Sequence, residues 1–205
     1  MLRKIILDNT VFNRFVRLPS VDLFELLRNL DLEQVLVPAE VFKELQDFAS
    51  SFPSLAPRLN SWLKAIKPNT FFHFCTSIDP IVHAMIYDQV DKGEAHAIAQ
   101  SAATFSGFFI TDDFKFEKKL PPANYYPTCY SSYFLLAYAD VNGFLTDDQY
   151  SNAFIEMKFD LNITSMNSKN QKELRQRWRT EYTAALRHLS LPFDKKRIQR
   201  KVYIR

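Results

Sequence analysis

Short apolar runs alternate with helical patterns over the first 111 residues of this 205-residue chain. Four of the runs have the length and composition of buried strands: residues 4–7, 35–38, 71–75 and 107–111. Five segments between them carry apolar residues at helical spacing: residues 22–30, 39–49, 55–66, 80–90 and 94–104. Strands that alternate with helices predict an α/β fold, in which helices cover both faces of a central parallel sheet.

The rest of the chain is predicted to be helical. Residues 130–142 and the segment that begins at Thr146 predict a pair of helices packed on the body, and residues 168–188 predict a further amphipathic helix. We therefore predict three parts: a core at residues 1–127, a helical extension at 128–164, and a basic C-terminal helix and tail at 165–205.

Charge is divided unevenly along the chain. Residues 169–205 carry twelve Lys and Arg against three acidic residues, whereas the preceding part carries 14 Lys and Arg against 20 acidic residues. No apolar stretch reaches the roughly 20 residues that span a bilayer, and the start lacks the pattern of a secretory signal. These features predict a cytoplasmic protein with no membrane partner. Gly-rich phosphate loops are also absent, which argues against a nucleotide-cofactor enzyme.

Carboxylates lie at the end of a predicted strand or on a predicted helix in four segments. Asp8 follows the first strand, and Asp112 and Asp113 follow the fourth. Glu44 lies on the helix after the second strand, and Glu94 opens an Ala-rich helix. Grouped carboxylates raise one another's pKa, so a divalent cation that keeps them ionised would explain their presence. Because ligands bind beyond the carboxyl ends of parallel strands, we expect the acids after the two strands to share one edge.

Each acidic residue also has a purely structural interpretation. Asp8 suits the N-cap of a helix that begins near Val11. Glu94 suits the first turn of a helix, and the Asp112–Asp113 pair suits an ordinary turn. Glu40 and Glu44 lie four residues apart on one helix face, and either suits a solvated helix charge; we take Glu44 as the candidate ligand. The joint occurrence of all four segments in this order favours a shared site.

The order of these segments resembles that of the PIN-domain nucleases. Four motifs carry the resemblance: Ile5-Ile6-Leu7-Asp8, Val37-Pro38-x-x-Val41-x-x-Glu44-Leu45, Gly93-Glu94-Ala95-His96-Ala97-Ile98 and Thr111-Asp112-Asp113. With a similar helical extension after the core, the resemblance covers roughly residues 1–164. The chain departs from the family at His96, where another acid is common. It also departs at the fourth position, where the usual acid lies two residues after the threonine: this is Asp113 here, yet Asp112 could serve equally.

The resemblance implies a Rossmann-like α/β/α sandwich that binds Mg²⁺ or Mn²⁺ and hydrolyses phosphodiesters, most often in RNA. It implies a catalytic set made of Asp8, Glu44, Glu94, Asp112 and Asp113. Asp8 and one of the paired aspartates would be inner metal ligands, with Glu44 and Glu94 orienting water or holding a second ion. Asn9 and Thr10 would hold water or a phosphate oxygen. Many members of the family are toxins inhibited by a partner antitoxin, and others process or degrade RNA.

An acidic edge repels nucleic acid, so cations elsewhere must attract the substrate. The candidate RNA-binding residues in the basic C-terminal part are Arg175, Arg177, Arg179, Lys196, Arg197 and Arg200. Trp178 and Tyr182 are candidate stacking faces. The alternative is that these two rings pack on the body while the arginines form a solvated face.

Two functions compete with a metal-dependent endoribonuclease. One is a non-catalytic PIN-like module that binds RNA or protein, and the other is a nuclease specific for DNA or for a nucleic-acid structure. The expected partners are RNA, an antitoxin or other regulatory protein, and a second copy of the chain in a homodimer.

Overall fold

A computed structural model describes residues 4–113 and 127–202 of the chain. The strands are β1 (Lys4–Leu7), β2 (Gln34–Pro38), β3 (Phe72–Cys75), β4 (Phe108–Ile110) and β5 (Thr128–Tyr130). The helices are α1 (Asn9–Phe15), α2 (Leu23–Asn29), α3 (Ala39–Ser51), α4 (Ala56–Ala65), α5 (Pro80–Ile86), α6 (Lys92–Thr104), α7 (Ser132–Val141), α8 (Asp147–Asp160), α9 (Ser168–His188) and α10 (Lys195–Val202). A short 3₁₀ helix (Ile163–Ser165) follows α8.

The five strands form one parallel sheet with the order β3-β2-β1-β4-β5. From β1 the chain proceeds outward through β2 and β3, and it then returns to the other side of β1 to add β4 and β5. The strand order therefore reverses between β1 and β4. In sheets of this kind the crevice at such a reversal, beyond the carboxyl ends of the strands, is the usual place for a ligand.

Alternate residues of the strands face two different hydrophobic cores. Ile5 and Leu7 of β1 belong to the larger core, which is built with α1 to α4 and α7 to α10. Ile6, between them, belongs to the smaller core under α5 and α6. This alternation follows from the two-residue period of a strand. The predicted α/β fold, with helices on both faces of a parallel sheet, is confirmed.

Several predicted boundaries change in the structure. Residues 128–130 form the edge strand β5, and the predicted helix at 130–142 begins at Ser132, which Ser131 caps. A three-residue strand is too short to show a period in the sequence. Helix α5 ends at Ile86 instead of residue 90, and residues 195–202, predicted as tail, form α10.

The C-terminal helices are built into the larger core. Trp178 and Tyr182 of α9, and Ile198 of α10, are buried there with the wholly buried helix α7. Neither Trp178 nor Tyr182 can therefore stack on RNA, which corrects that expectation. Parts of the predicted core (residues 1–3 and 114–126) and of the predicted C-terminal part (residues 203–205) lie outside the described residues. Within the described ranges, no helix is long and apolar enough to cross a bilayer.

Candidate functional site

Asp8 lies at the point where the strand order of the sheet reverses. It follows β1 directly, and its backbone N–H donates to the carbonyl of Ile110 at the end of β4, at 3.0 Å. It is also the N-cap of α1, since its side chain accepts a hydrogen bond from the N–H of Thr10. The capping interpretation of Asp8 is thus confirmed, and the same geometry places its carboxylate at the carboxyl edge of the sheet.

Two threonine hydroxyls hold the Asp8 carboxylate. Thr111 Oγ1 donates to Asp8 Oδ2 at 2.8 Å, and Thr10 Oγ1 makes a short hydrogen bond to the same oxygen. Each hydroxyl oxygen also accepts a hydrogen bond from a backbone N–H. The Asp112 N–H donates to Thr10 Oγ1 at 2.9 Å, and the Asp113 N–H donates to Thr111 Oγ1 at 3.1 Å. Burial raises the pKa of Asp8, and the two hydroxyl donors offset part of that rise.

Asp112 and Asp113 have different surroundings. Asp112 accepts from Arg14 Nε at 3.0 Å and from the backbone and hydroxyl of Ser132, each at 2.9 Å. Both of its carboxylate oxygens therefore anchor α1 and the start of α7. Arg14 also pairs with Asp160 at the end of α8. By contrast, burial and the charge of Asp91 raise the pKa of Glu94 most, and the charge of Asp113 raises it further, so Asp113 acts electrostatically on Glu94.

Glu44 approaches the edge from α3. Burial raises its pKa most, followed by the charges of Asp8 and Asp91, while a hydrogen bond with the Asn9 side chain lowers it. The carbonyl oxygen of the Asn9 side chain is buried, and among the described residues it has no hydrogen-bond partner. Asn9 thus presents one side-chain group to Glu44 and retains an unused oxygen at the site.

Glu94 enters from the first turn of α6. It forms a capping box with Asp91: the Glu94 N–H donates to Asp91 Oδ1 at 2.8 Å, and Glu94 Oε2 accepts the Asp91 N–H at 3.2 Å. Burial, followed by the charges of Asp91, Asp113 and Asp8, raises the pKa of Glu94 to about 7. The predicted role of Glu94 as an N-terminal helix acid is confirmed, yet its charge is also coupled to Asp8 after β1 and to Asp113 after β4.

Asp91 is a member of the group that the sequence reasoning missed. A β-carbon placed at Gly93 would lie 3.5 Å from both Asp91 Oδ1 and Glu44 Oε1, so these two carboxylates converge on a glycine. The spacing of Asp91 and Glu94 is that of a capping box, which could have revealed Asp91. Arg14 and Ser132 were also missed, because nothing in the sequence links them to Asp112.

The donor set suits a hard divalent cation. It consists of carboxylates from Asp8, Glu44, Glu94 and Asp113 together with the unpartnered oxygen of Asn9, and oxygen donors are those that Mg²⁺ and Mn²⁺ prefer. Among the residues that the structure describes, no three acidic, imidazole or thiol side chains lie close enough to form a metal site as they stand. Mg²⁺ commonly uses one or two carboxylates and fills its remaining positions with water.

The candidate RNA-binding residues fall into two groups. Arg177 Nε donates to the buried carboxylate of Glu181 at 3.0 Å, and Arg197 donates to Tyr182 at 2.9 Å and to the buried Asp140 at 3.3 Å. These two arginines serve carboxylates within the fold. The remaining four candidates are partly or fully exposed: Arg175, Arg179, Lys196 and Arg200.

Comparison of the chain with protein-family models, with curated proteins and with solved structures gives no match. The resemblance to PIN-domain nucleases therefore stays a prediction that rests on the four sequence motifs and on the edge of the sheet where their acids lie.

Proposed function

We propose that this protein is a metal-dependent endoribonuclease that hydrolyses RNA phosphodiester bonds. The observation that supports the proposal is the convergence of acids from separate elements at the point where the strand order reverses. Asp8 follows β1, Asp113 follows β4, Glu44 comes from α3, and Glu94 comes from α6. Mutual repulsion helps to raise the pKa of Glu44 and of Glu94. Such repulsion is costly unless a cation is bound there.

Asp8, Asp113 and Glu94 are the residues that would hold Mg²⁺ or Mn²⁺, with Glu44 and the oxygen of Asn9 beside them. A bound divalent ion supplies charge neutralisation at the phosphate oxygens and lowers the pKa of water, which is the chemistry that phosphodiester hydrolysis needs. Asp112 is assigned a positioning role, because Arg14 and Ser132 engage both of its oxygens.

The hydroxyls of Thr10 and Thr111 orient Asp8. Because each hydroxyl receives a backbone N–H from the segment after β4, its own proton is directed toward Asp8 Oδ2. Both threonine hydroxyls engage Oδ2 of Asp8, so Oδ1 would be the oxygen presented to a cation. Glu94, with a pKa of about 7, is half-protonated near neutral pH in the metal-free protein.

The proposal includes a cytoplasmic location and RNA as the substrate. Cys75 and Cys129 lie on β3 and β5, the two edge strands of the sheet, and form no disulfide, which suits a reducing compartment. An antitoxin, another regulatory protein and a homodimer stay predictions, since no contact in the described residues bears on them.

The test is cleavage of labelled single-stranded RNA, duplex RNA and single-stranded DNA by the pure protein with Mg²⁺, Mn²⁺ or EDTA. Asp8→Asn is assayed beside the wild type, with circular dichroism to confirm that both are folded. RNA cleavage that needs the metal and is lost in Asp8→Asn is the expected result. Cleavage of DNA alone would replace the proposal with a deoxyribonuclease, and binding of RNA without any cleavage would replace it with a binding module.

A further inference from the structure

Helix α8 carries an aromatic side chain that the fold leaves in solvent. Phe159 is 86% exposed, and Ile155, one turn earlier on the same face, is 42% exposed. Both line a surface cleft of about 330 Å³ between α8 and α9. Single exposed apolar residues are common, but an exposed aromatic ring at the mouth of a cleft provides a flat surface for a ligand.

Two cations line the same cleft. Lys158 lies beside Phe159 in the chain, and Arg175 approaches from α9. Burial lowers the pKa of Lys158, and the charge of Arg175 lowers it further, so the two groups are close enough to repel each other. A pair of like charges at one cleft favours a ligand that carries negative charge.

The cleft is connected to the acidic edge of the sheet by a chain of ion pairs. Asp160, the residue after Phe159, pairs with Arg14 of α1, and Arg14 Nε pairs with Asp112 at 3.0 Å. Arg17, which is half-exposed, also lies near Asp160, with 3.7 Å between Nη1 and Oδ1. Helix α8 thus ends near the segment that carries Asp112 and Asp113.

We propose that Phe159 is a stacking platform for an unpaired nucleotide of the RNA substrate, with Lys158 and Arg175 binding the flanking phosphates. The inference rests on the proposed function and assigns to Phe159 the role that Trp178 and Tyr182 cannot take, because both are buried. Aromatic rings bind bases of single strands, whereas the bases of a duplex are stacked on each other. The substrate at this site is therefore single-stranded.

The test is fluorescence anisotropy of a labelled oligouridylate and of a labelled RNA duplex, in EDTA so that nothing is cut. Phe159→Ala is compared with Phe159→Trp, which keeps a stacking ring, and with Phe105→Ala. Phe105 is 95% exposed and precedes β4 at the opposite edge of the sheet, so it is a matched control. Stacking on one ring corresponds to an affinity change of about 5- to 150-fold.

We expect Phe159→Ala to bind the single-stranded RNA more weakly by the factor that stacking on one ring contributes. Phe159→Trp and Phe105→Ala should bind it as the wild type does. Lys158→Gln and Arg175→Gln should each lower the slope of log affinity against log salt by about one. Equal binding by Phe159→Ala and the wild type overturns the inference. So does loss of self-association in Phe159→Ala without any change in RNA binding, since the surface would then serve a protein contact.

The inference and the proposed function fail separately in these assays. If Asp8→Asn abolishes metal-dependent cleavage but Phe159→Ala binds RNA normally, the nuclease proposal stands and the stacking platform is wrong. If Phe159→Ala weakens binding but no metal supports cleavage, the platform stands and the chain is a binding module.

Discussion

The hydroxyl of Thr111 donates a hydrogen bond of 2.8 Å to Oδ2 of Asp8 and joins residues that are 103 positions apart in the chain. Thr111 follows β4, Asp8 follows β1, and the pair closes the crevice at which the strand order reverses. The backbone N–H of Asp113 donates to the same hydroxyl, so the position of one acid depends on the hydroxyl that holds the other.

Thr111→Val should weaken catalysis more than it weakens folding. Valine keeps the shape of the side chain but removes both the donor to Asp8 and the acceptor for Asp113, so each proposed ligand loses one hydrogen bond that positions it. We expect stability to fall by about 1–2 kcal/mol and metal-dependent RNA cleavage to fall by roughly 10-fold or more, the usual cost of losing a partner that orients a metal ligand. Urea unfolding and initial rates measure the two effects. Thr111→Ser should retain most of the stability and most of the cleavage activity. Equal activity in the valine and serine variants would contradict the role of the hydroxyl.

The two neighbouring aspartates should separate into one structural and one functional residue. Asp112→Asn removes the charge that partners Arg14 and should cost about 1–3 kcal/mol of stability, because a largely buried arginine loses a partner. Asp113→Asn should leave the unfolding midpoint within error but reduce Mn²⁺ affinity. Thermal unfolding with and without Mn²⁺ distinguishes the two variants. The opposite pattern would place the metal at Asp112 instead.

The metal-free protein should lose stability as the pH rises through about 7. The pKa of Glu94 is raised to about 7 in the folded state, so between its unfolded value and 7 the folded chain holds a proton that the unfolded chain has released. That stabilisation is complete below the unfolded pKa and is lost progressively as the pH rises to the folded pKa of about 7. Glu94→Gln still accepts the Asp91 N–H of the capping box. We expect the free energy of unfolding of Glu94→Gln to exceed that of the wild type by about 1–3 kcal/mol near pH 8 in EDTA. Near pH 5 the two proteins should be equally stable.

Urea titrations across this pH range provide the measurement, with Glu40→Gln, an acid on the same helix as Glu44, as the control. A wild type whose stability rises between about pH 5 and 8 relative to Glu94→Gln would show that the carboxyl is stabilised in its charged form.

Helix α9 should be required for folding. Trp178 is 3% exposed and packs against the rings of Tyr133 and Phe154, so Trp178→Ala should cost about 3–5 kcal/mol. Arg179→Ala, at the next position, should leave stability within about 0.5 kcal/mol of the wild type. Guanidinium unfolding checks both variants. Equal stability of the two would indicate that α9 is an appendage and not part of the core.

The sequence predicted those features that depend on local pattern. Residues 4–7 and 168–188 match β1 and α9 because their apolar spacing spans the whole element. Strand β5 was missed because three residues show no period, and α10 was missed because its two buried residues, Ile198 and Val202, are outnumbered by charges. The sequence also placed Asp8 at the carboxyl edge of the sheet, because Asp8 directly follows an apolar strand. The pairing of Arg14 with Asp112 could not be predicted, since it joins residues 98 positions apart.

The most direct test of the central claim, that these acids hold one divalent cation, is isothermal titration of Mg²⁺ and Mn²⁺ into the full chain near neutral pH. The titrations are run in buffers of different ionisation enthalpy, so that protons released on binding are counted. We predict one binding event that releases a fraction of a proton, mainly from Glu94, and that is lost in Asp8→Asn and releases fewer protons in Glu94→Gln. Undiminished binding in Asp8→Asn, or no binding to the wild type, would contradict the claim.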